Sequence, residues 1–239
     1  MSALDRLKRV ENPLIRDGLL RGRAAIEYAR KGHLVRARRV REYLAATDEP
    51  KLQVGTGPNS IAGWLNSDLI SGDVYVDLAR PLPFADATFQ YIFGEHIIEH
   101  LPEPQGSRFI AEARRVLRPG GVLRLVTPDL RKLIELYEGR SPWIGQEDYR
   151  RFLCEVTGKA YEQPARILND LMRLWGHRYI YDEPDLTAKL EAAGFRQVDR
   201  RPPSESAYPA LQGIERHGER FGARDWENDA EAMVIEAVK

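Results

Sequence analysis

The chain lacks several features that would point to a function directly. It has a single cysteine, Cys154, in 239 residues. One thiol excludes an intrachain disulfide and any metal site built from several cysteines, and it fits a reducing compartment. No apolar run approaches the ~18–20 residues needed to span a bilayer. The N-terminus has no signal-peptide core, because Arg16 and Asp17 interrupt the stretch from Leu14 to Leu20. A cytoplasmic protein without a membrane span is therefore expected. Neither sign of charge is in excess, with 36 Lys+Arg against 36 Asp+Glu. The chain as a whole thus has no general attraction for nucleic acid or an anionic surface. Internal repeats and low-complexity segments are absent.

What charge imbalance there is lies at the start. Residues 1–45 hold twelve Lys/Arg against five Asp/Glu. This stretch reads as a helical extension over residues 1–48. Asn12 can cap a helix opened by Pro13, since proline suits the first helical position. A second helix is expected from Ala24 to Leu44, with Ile26, Leu34, Val35, Val40 and Leu44 apolar and Gly32 as a break. Its arginines read as a solvated face, or as a surface for anionic partners.

From Lys51 onward the pattern alternates strand and helix, which predicts a mostly parallel sheet over residues 49–239. The expected strands are Lys51–Val54, Trp64–Ser67, Val74–Asp77, Tyr91–Phe93, Val122–Thr127, Gln197–Arg201 and Met233–Val238. Helical spacing marks Ser107 to Leu117, which Pro119-Gly120-Gly121 terminates, and Pro184 to Ala193, which Gly194 closes. Residues 129–182 are rich in Tyr, Trp and Arg and read as a helical lid inserted between core strands.

The run KLQVGTGPNSIAGWLNSD, Lys51 to Asp68, is the most informative. An apolar strand enters a Gly55-Thr56-Gly57 turn, and a second strand ends on Asp68. Glycines let a ligand approach the backbone, and a carboxylate at the next strand end accepts ribose hydroxyls. A nicotinamide dehydrogenase is disfavoured: GTGPNS lacks the third glycine of G-x-G-x-x-G, and the acid comes earlier than the ~20-residue spacing of that fingerprint. Downstream come VDLARPLPFADATFQYIF (Val76 to Phe93), GEHIIEHL (Gly94 to Leu101), EARRVLRPGGVLRLVTPDL (Glu112 to Leu130) and LEAAGF (Leu190 to Phe195).

With these motifs, the chain from Lys51 to Lys239 resembles the class I S-adenosylmethionine (SAM)-dependent methyltransferases. It is most similar to a bacterial, methyltransferase type 11-like subgroup with a Gly-Trp-x-Asn-x-Asp segment, here Gly63 to Asp68. The resemblance implies an α/β, Rossmann-like seven-stranded sheet with helices on both faces and the last strand antiparallel. It also implies SAM as cofactor. By the same resemblance, Gly55, Thr56 and Gly57 pass under the methionine part of SAM. Asp68 holds the ribose, Asp77 and Leu78 lie beside the adenine, and Gly94 and Glu95 lie near the methyl-transfer edge. Gln53 stands where the family usually carries an acid. Only ten residues separate Gly57 from Asp68, which leaves room for about one helical turn.

Glu95, His96, Glu99 and His100 are the densest chemistry in the chain. His96, Glu99 and His100 fall at i, i+3 and i+4, so one helix face could carry all three. Three readings stand open. His96 or His100 is a general base, the three residues bind a divalent metal, or Glu99 and His100 only orient the helix. An E-x-x-E-H pattern serves metals in some RNA 2′-O-methyltransferases, and His96 takes the first acidic place here. His177, in Trp175 to Asp182, is a third catalytic candidate that can reach the same cleft and either bind substrate or complete a metal site, and no resident metal is assigned. The segments Ser204 to Ser206 and Glu215 to His217 are weaker candidates for the cleft rim.

The expected activity is SAM-dependent O-methylation of a small-molecule or glycan (carbohydrate-like) acceptor. The alternatives are a non-catalytic SAM-fold scaffold module and a metal-assisted RNA methyltransferase. Nucleic acid is the less favoured partner, since the basic block lies outside the sheet domain and no aromatic-basic RNA motif occurs. The sequence does not set an oligomeric state.

Overall fold

Leu52 and Val54 have no exposed surface in strand β1 (Lys51–Val54), and a strand buried on both faces suits the middle of a parallel sheet. The computed structural model describes residues 33–217 and 226–239 and isolated positions between 19 and 28. In it β1 pairs in parallel with β2 (Leu65–Asp68) on one side and with β4 (Phe89–Glu95) on the other. Strand β3 (Val74–Tyr75) extends the sheet beyond β2, and β5 (Leu117–Pro128) extends it beyond β4. Strand β7 (Ala232–Val238) runs antiparallel to β5, and β6 (Arg196–Arg201) antiparallel to β7. The order is β3-β2-β1-β4-β5-β7-β6. This is the expected seven-stranded Rossmann-like sheet, with its last strand antiparallel. The strand order turns around between β1 and β4, which opens a crevice at their carboxyl ends.

Helix α1 (His33–Ala45) packs Val40, Tyr43 and Leu44 against the main core. Of the expected N-terminal helices before His33, only isolated helical positions between 19 and 28 are described, and Asn12-Pro13 and the Gly32 break lie outside the described residues. Helix α2 (Glu103–Val116) buries Phe109, Ile110, Ala113 and Val116. It begins four residues before the expected start, because a proline in its first turn needs no intrahelical partner. The chain then becomes extended at once, so β5 starts at Leu117 and runs through Pro119-Gly120-Gly121. Lys239 supports that stretch, accepting from Gly120 N at 3.1 Å and donating to Gly121 O at 2.9 Å.

Arg115 explains why two of the motifs occur together. Its guanidinium donates to the carbonyls of Leu82 and Phe84, both at 2.9 Å, and to Asp86 at 2.8 Å. Glu112 holds the guanidinium from the other side and accepts Leu82 N at 2.7 Å. The RVLRPGG and PLPFADATF segments are therefore one clamped unit.

Beyond β5 come α3 (Leu130–Tyr137), α4 (Gln146–Thr157) and α5 (Pro164–Arg173), which share their own apolar cluster built on Leu133, Tyr149, Phe152, Tyr161 and Leu171. Helix α6 (Glu183–Ala192) follows, capped by Asp182, which accepts Asp185 N at 2.9 Å. Helix α7 (Trp226–Glu231) leads into β7. The main core lies on the sheet face covered by α2 and α6. On the other face Trp64, Tyr91, Phe93, Val122 and Val126 pack with Leu211 and Ile214 of the segment 202–217. Arg124 of β5 fastens this segment. It is fully buried, bonds to Glu215 and Glu236, and donates to Glu205 O at 2.9 Å. No helix among the described residues is long and apolar enough to cross a membrane.

Candidate functional site

The glycine turn follows β1 as expected, but the residues between β1 and β2 form turns and no helix. Side chains do the work that a helix would do for the backbone there. Gln53 Nε2 donates to Asn59 O at 2.9 Å, while its Oε1 accepts Ile61 N at 3.2 Å and Thr56 Oγ1 at 2.9 Å. Asn66 Oδ1 also accepts Ile61 N, at 2.8 Å, and its Nδ2 donates to Ile61 O, Trp64 O and Asp73. Gln53 and Asn66 are thus stitches beneath the turn, and both are buried.

The glycines divide by role. Gly55 has φ +65°, and a Cβ there would lie 2.5 Å from Ile97 Cγ1. At Gly94 a Cβ would lie 3.0 Å from both Ile97 and Val54. These two glycines make room for Ile97. Gly57 is different: at φ +53°, a Cβ there would meet nothing within 4 Å, so its open face is the one a ligand can approach. Asp68 stands beside it: Oδ2 accepts Gly57 N at 3.1 Å, and Oδ1 accepts Ile70 N at 2.8 Å. Open space at a left-handed glycine next to a carboxylate leaves room for a ligand to reach the backbone. Asp77 accepts Ala79 N at 3.0 Å and pairs with Arg80 at 3.3 Å. The Leu78 side chain is buried in the main core.

Strands β1 and β4 are neighbours, with Val54 opposite Gly94, so the acid–histidine cluster lies next to the turn. The expected single helix face does not form. His96 adopts φ +48°, and only Ile98–His100 form a helical turn, of the 3-10 type. The cluster converges around Glu99 instead, which has no exposed surface. Glu99 Oε1 lies 3.2 Å from His96 Nδ1, an ion-pair distance without a hydrogen bond of good angle. Its Oε2 accepts Thr127 Oγ1 at 3.1 Å. Burial opposes ionisation of Glu99, but His96 and the nearby His100 and His177 outweigh it and hold the carboxyl well below its usual range. Burial likewise opposes charge on His96, and the Glu99 carboxylate overcomes it, so that pKa is raised. His96 Nε2 is buried and makes no hydrogen bond.

His177 joins the cluster because the backbone carries it there. Glu99 O accepts Arg178 N at 2.7 Å and Tyr179 N at 3.2 Å. The His177 and His100 rings meet edge to face at 5.1 Å. Burial lowers the His177 pKa.

Glu95 serves another purpose. Its carboxylate accepts the backbone N–H groups of Arg216 and His217, at 2.9 and 3.1 Å, and burial raises its pKa against the pull of His96 and those bonds. This anchoring stacks the His217 ring on His96 at 3.8 Å. His217, one of the weaker rim candidates in the sequence, thus lies directly against His96. Its only signal was a polar segment ahead of the last strand. Glu215 and Ser206 of the same rim candidates turn away to the Arg124 and Glu236 group.

Residues 68–125, from the end of β2 into β5, match the family model described as a methyltransferase domain. A search of the curated proteins finds no match. Among solved structures, the chain is similar to phosphoethanolamine N-methyltransferase 2 of Haemonchus contortus, solved with phosphomonomethylethanolamine and S-adenosylhomocysteine, at 14% identity and TM-score 0.46. That alignment covers 81% of this chain and 49% of the other, so the chain spans about half the length of that relative. A SAM-dependent methyltransferase of Archaeoglobus fulgidus aligns at 16% identity and TM-score 0.45, over 90% of this chain and 98% of the other. One from Mesorhizobium loti aligns at 13% and 0.44, over 83% and 96%. Residues 68–125 thus match a methyltransferase-domain model, and they lie within the expected Rossmann-like strand order around the glycine turn.

Proposed function

We propose that the chain methylates an oxygen of a small or carbohydrate-like acceptor, with His96 removing the hydroxyl proton. The observation that carries this reading is His96 itself. Its Nδ1 faces the buried Glu99 carboxylate, its Nε2 has no hydrogen bond, and it follows β4, whose Gly94 pairs with Val54 just before the glycine turn. An imidazole oriented by a carboxylate on one nitrogen presents the other as a base.

SAM, when bound, supplies an electrophilic methyl group on a sulfonium. The chain's own residues do the rest. Asp68 accepts ribose hydroxyls, and the open face of Gly57 lets the methionine part of SAM approach the backbone. Glu99 fixes the His96 ring, and His96 Nε2 takes the proton from the acceptor oxygen as that oxygen gains the methyl group. The task is chiefly one of positioning. Helices α3–α5 act as the lid over the acceptor, and His217 and His177 line its binding space.

A non-catalytic scaffold module is the competing reading. Its support is Gln53, whose side chain is fully engaged beneath the turn and offers no charge to the amino-acid end of SAM. Calorimetric titration with SAM and S-adenosylhomocysteine decides between them. Binding that Asp68→Ala abolishes, with methyl transfer in an acceptor screen, supports the enzyme. A well-folded wild type that binds neither compound supports the scaffold.

A further inference from the structure

We propose that Glu99, His100 and His177 form a binding site for one divalent first-row transition-metal ion. One ligand atom from each residue lies within 4.8 Å of the others. Ions of this class hold nitrogen and oxygen ligands at about 2.0–2.2 Å, which puts neighbouring ligands about 3.3 Å apart around a tetrahedral ion. Small side-chain rotations close that difference.

Three observations beyond proximity point to a cation. First, Glu99 is wholly buried, yet its Oε1 accepts no hydrogen bond of good angle. His96 Nδ1 faces that oxygen at 3.2 Å, and a carboxylate buried this fully gains from a further positive partner. Second, His177 Nδ1 lies 2.7 Å from Leu171 O. A carbonyl oxygen can only accept, so Nδ1 carries the hydrogen and the lone pair is on Nε2. Metal-ligating histidines are oriented in this way, by a carbonyl on the far nitrogen. Third, Thr127 Oγ1 donates to Glu99 Oε2 and fixes the plane of the carboxylate. Ligand and outer supports are thus both present, from three separate stretches of chain.

The ligand set selects the ion. Two imidazoles and one carboxylate suit zinc, manganese, cobalt or ferrous iron, and do not suit calcium or magnesium, which prefer all-oxygen cages. Three protein ligands leave at least one position open. Resting on the methyl-transfer reading, that position would take the acceptor oxygen and polarise its O–H bond. The acceptor class is then one with a metal-binding hydroxyl.

The test reads metal before activity. Full-length protein is stripped with chelator and titrated with Co2+, following the visible absorption of the bound ion, and with Zn2+ and Mn2+ by calorimetry. One ion per chain is expected. Affinity should fall by at least about 100-fold in the His100→Ala/His177→Ala double variant, and by about 10–100-fold in Thr127→Val, which removes only the outer support. Arg118→Ala, outside the cluster and bonded to Asp48 O, should bind as wild type does. The proposal is overturned if wild type binds no ion stoichiometrically. It is also overturned if binding survives the double variant, or if Thr127→Val, folded by circular dichroism, binds as tightly as wild type. S-adenosylhomocysteine binding by the stripped protein is measured alongside. If that binding is kept while metal is not taken up, the metal site fails and the methyltransferase reading stands.

Discussion

On the β1–β2 side of the cleft, every side-chain oxygen and nitrogen of Gln53, Asn66 and Asp68 has a hydrogen-bond partner. On the β4–β5 side, His96 Nε2 and Glu99 Oε1 are buried without one. Each buried polar group left in that condition costs about 1–3 kcal/mol. The first side is a finished scaffold, fixed before any ligand arrives. The second keeps polar atoms in reserve, which is how a reactive site differs from a structural network. Changes at Gln53 and Asn66 on the first side should therefore fail by losing fold, and changes on the second side by losing chemistry.

The largest effect is expected on the chemical side. His96→Ala should lower kcat by about 10²–10⁴-fold, the usual worth of a general base, with SAM affinity within about twofold of wild type. Single-turnover kinetics beside calorimetry would check it, and an equal loss of rate and affinity would remove His96 from that role. On the scaffold side, Asn66→Ala should cost about 3 kcal/mol, because it strips partners from Ile61 and Trp64 in a buried setting. Denaturant midpoints measure this, and a change under about 1 kcal/mol would mean that the turn does not depend on its stitches. Gly55→Ala should cost about 2 kcal/mol, combining the left-handed backbone with the contact to Ile97. Ile97→Ala in the same chain should recover part of that loss.

The smallest effect concerns Glu231, which accepts Tyr149 Oη at 2.6 Å and whose pKa burial raises against Tyr149 and His96. Its folded-state pKa lies above the unfolded one, so the folded state holds the proton more tightly. Wild type therefore gains stability as pH falls through that pKa, and it carries a cost above it. Glu231→Gln should stabilise the fold by about 1 kcal/mol at pH 7, with the gain gone by about pH 4. Melting curves across that range give the answer, and a gain that grows toward acid would reverse the assignment.

Local patterns in the sequence carried the sheet, α2, α6 and the order glycine turn then Asp68, because periodicity and turn residues act over a few positions. They could not carry the absence of a helix after Gly57. That depends on Gln53 and Asn66 bonding to the loop backbone, a choice made by tertiary packing. The spacing of His96, Glu99 and His100 suggested one helix face, but the left-handed His96 rotates the set, and the residues meet only because Glu99 is central. His217 was legible as a rim candidate and no more. Its place on His96 comes from Glu95 gripping a backbone 121 residues away, and separation on that scale leaves no mark on local sequence.

The segment 202–217 both covers the second face of the sheet, through Leu211 and Ile214, and delivers His217 to His96. Whatever opens that segment exposes the apolar floor and dismantles the cleft in one event. Reactivity and resistance to proteolysis should then rise and fall together, as properties of one cooperative unit that can come undone well before the rest of the molecule. A ligand that tightens the cleft would equally slow amide exchange along the underside of β4 and β5, which it never touches.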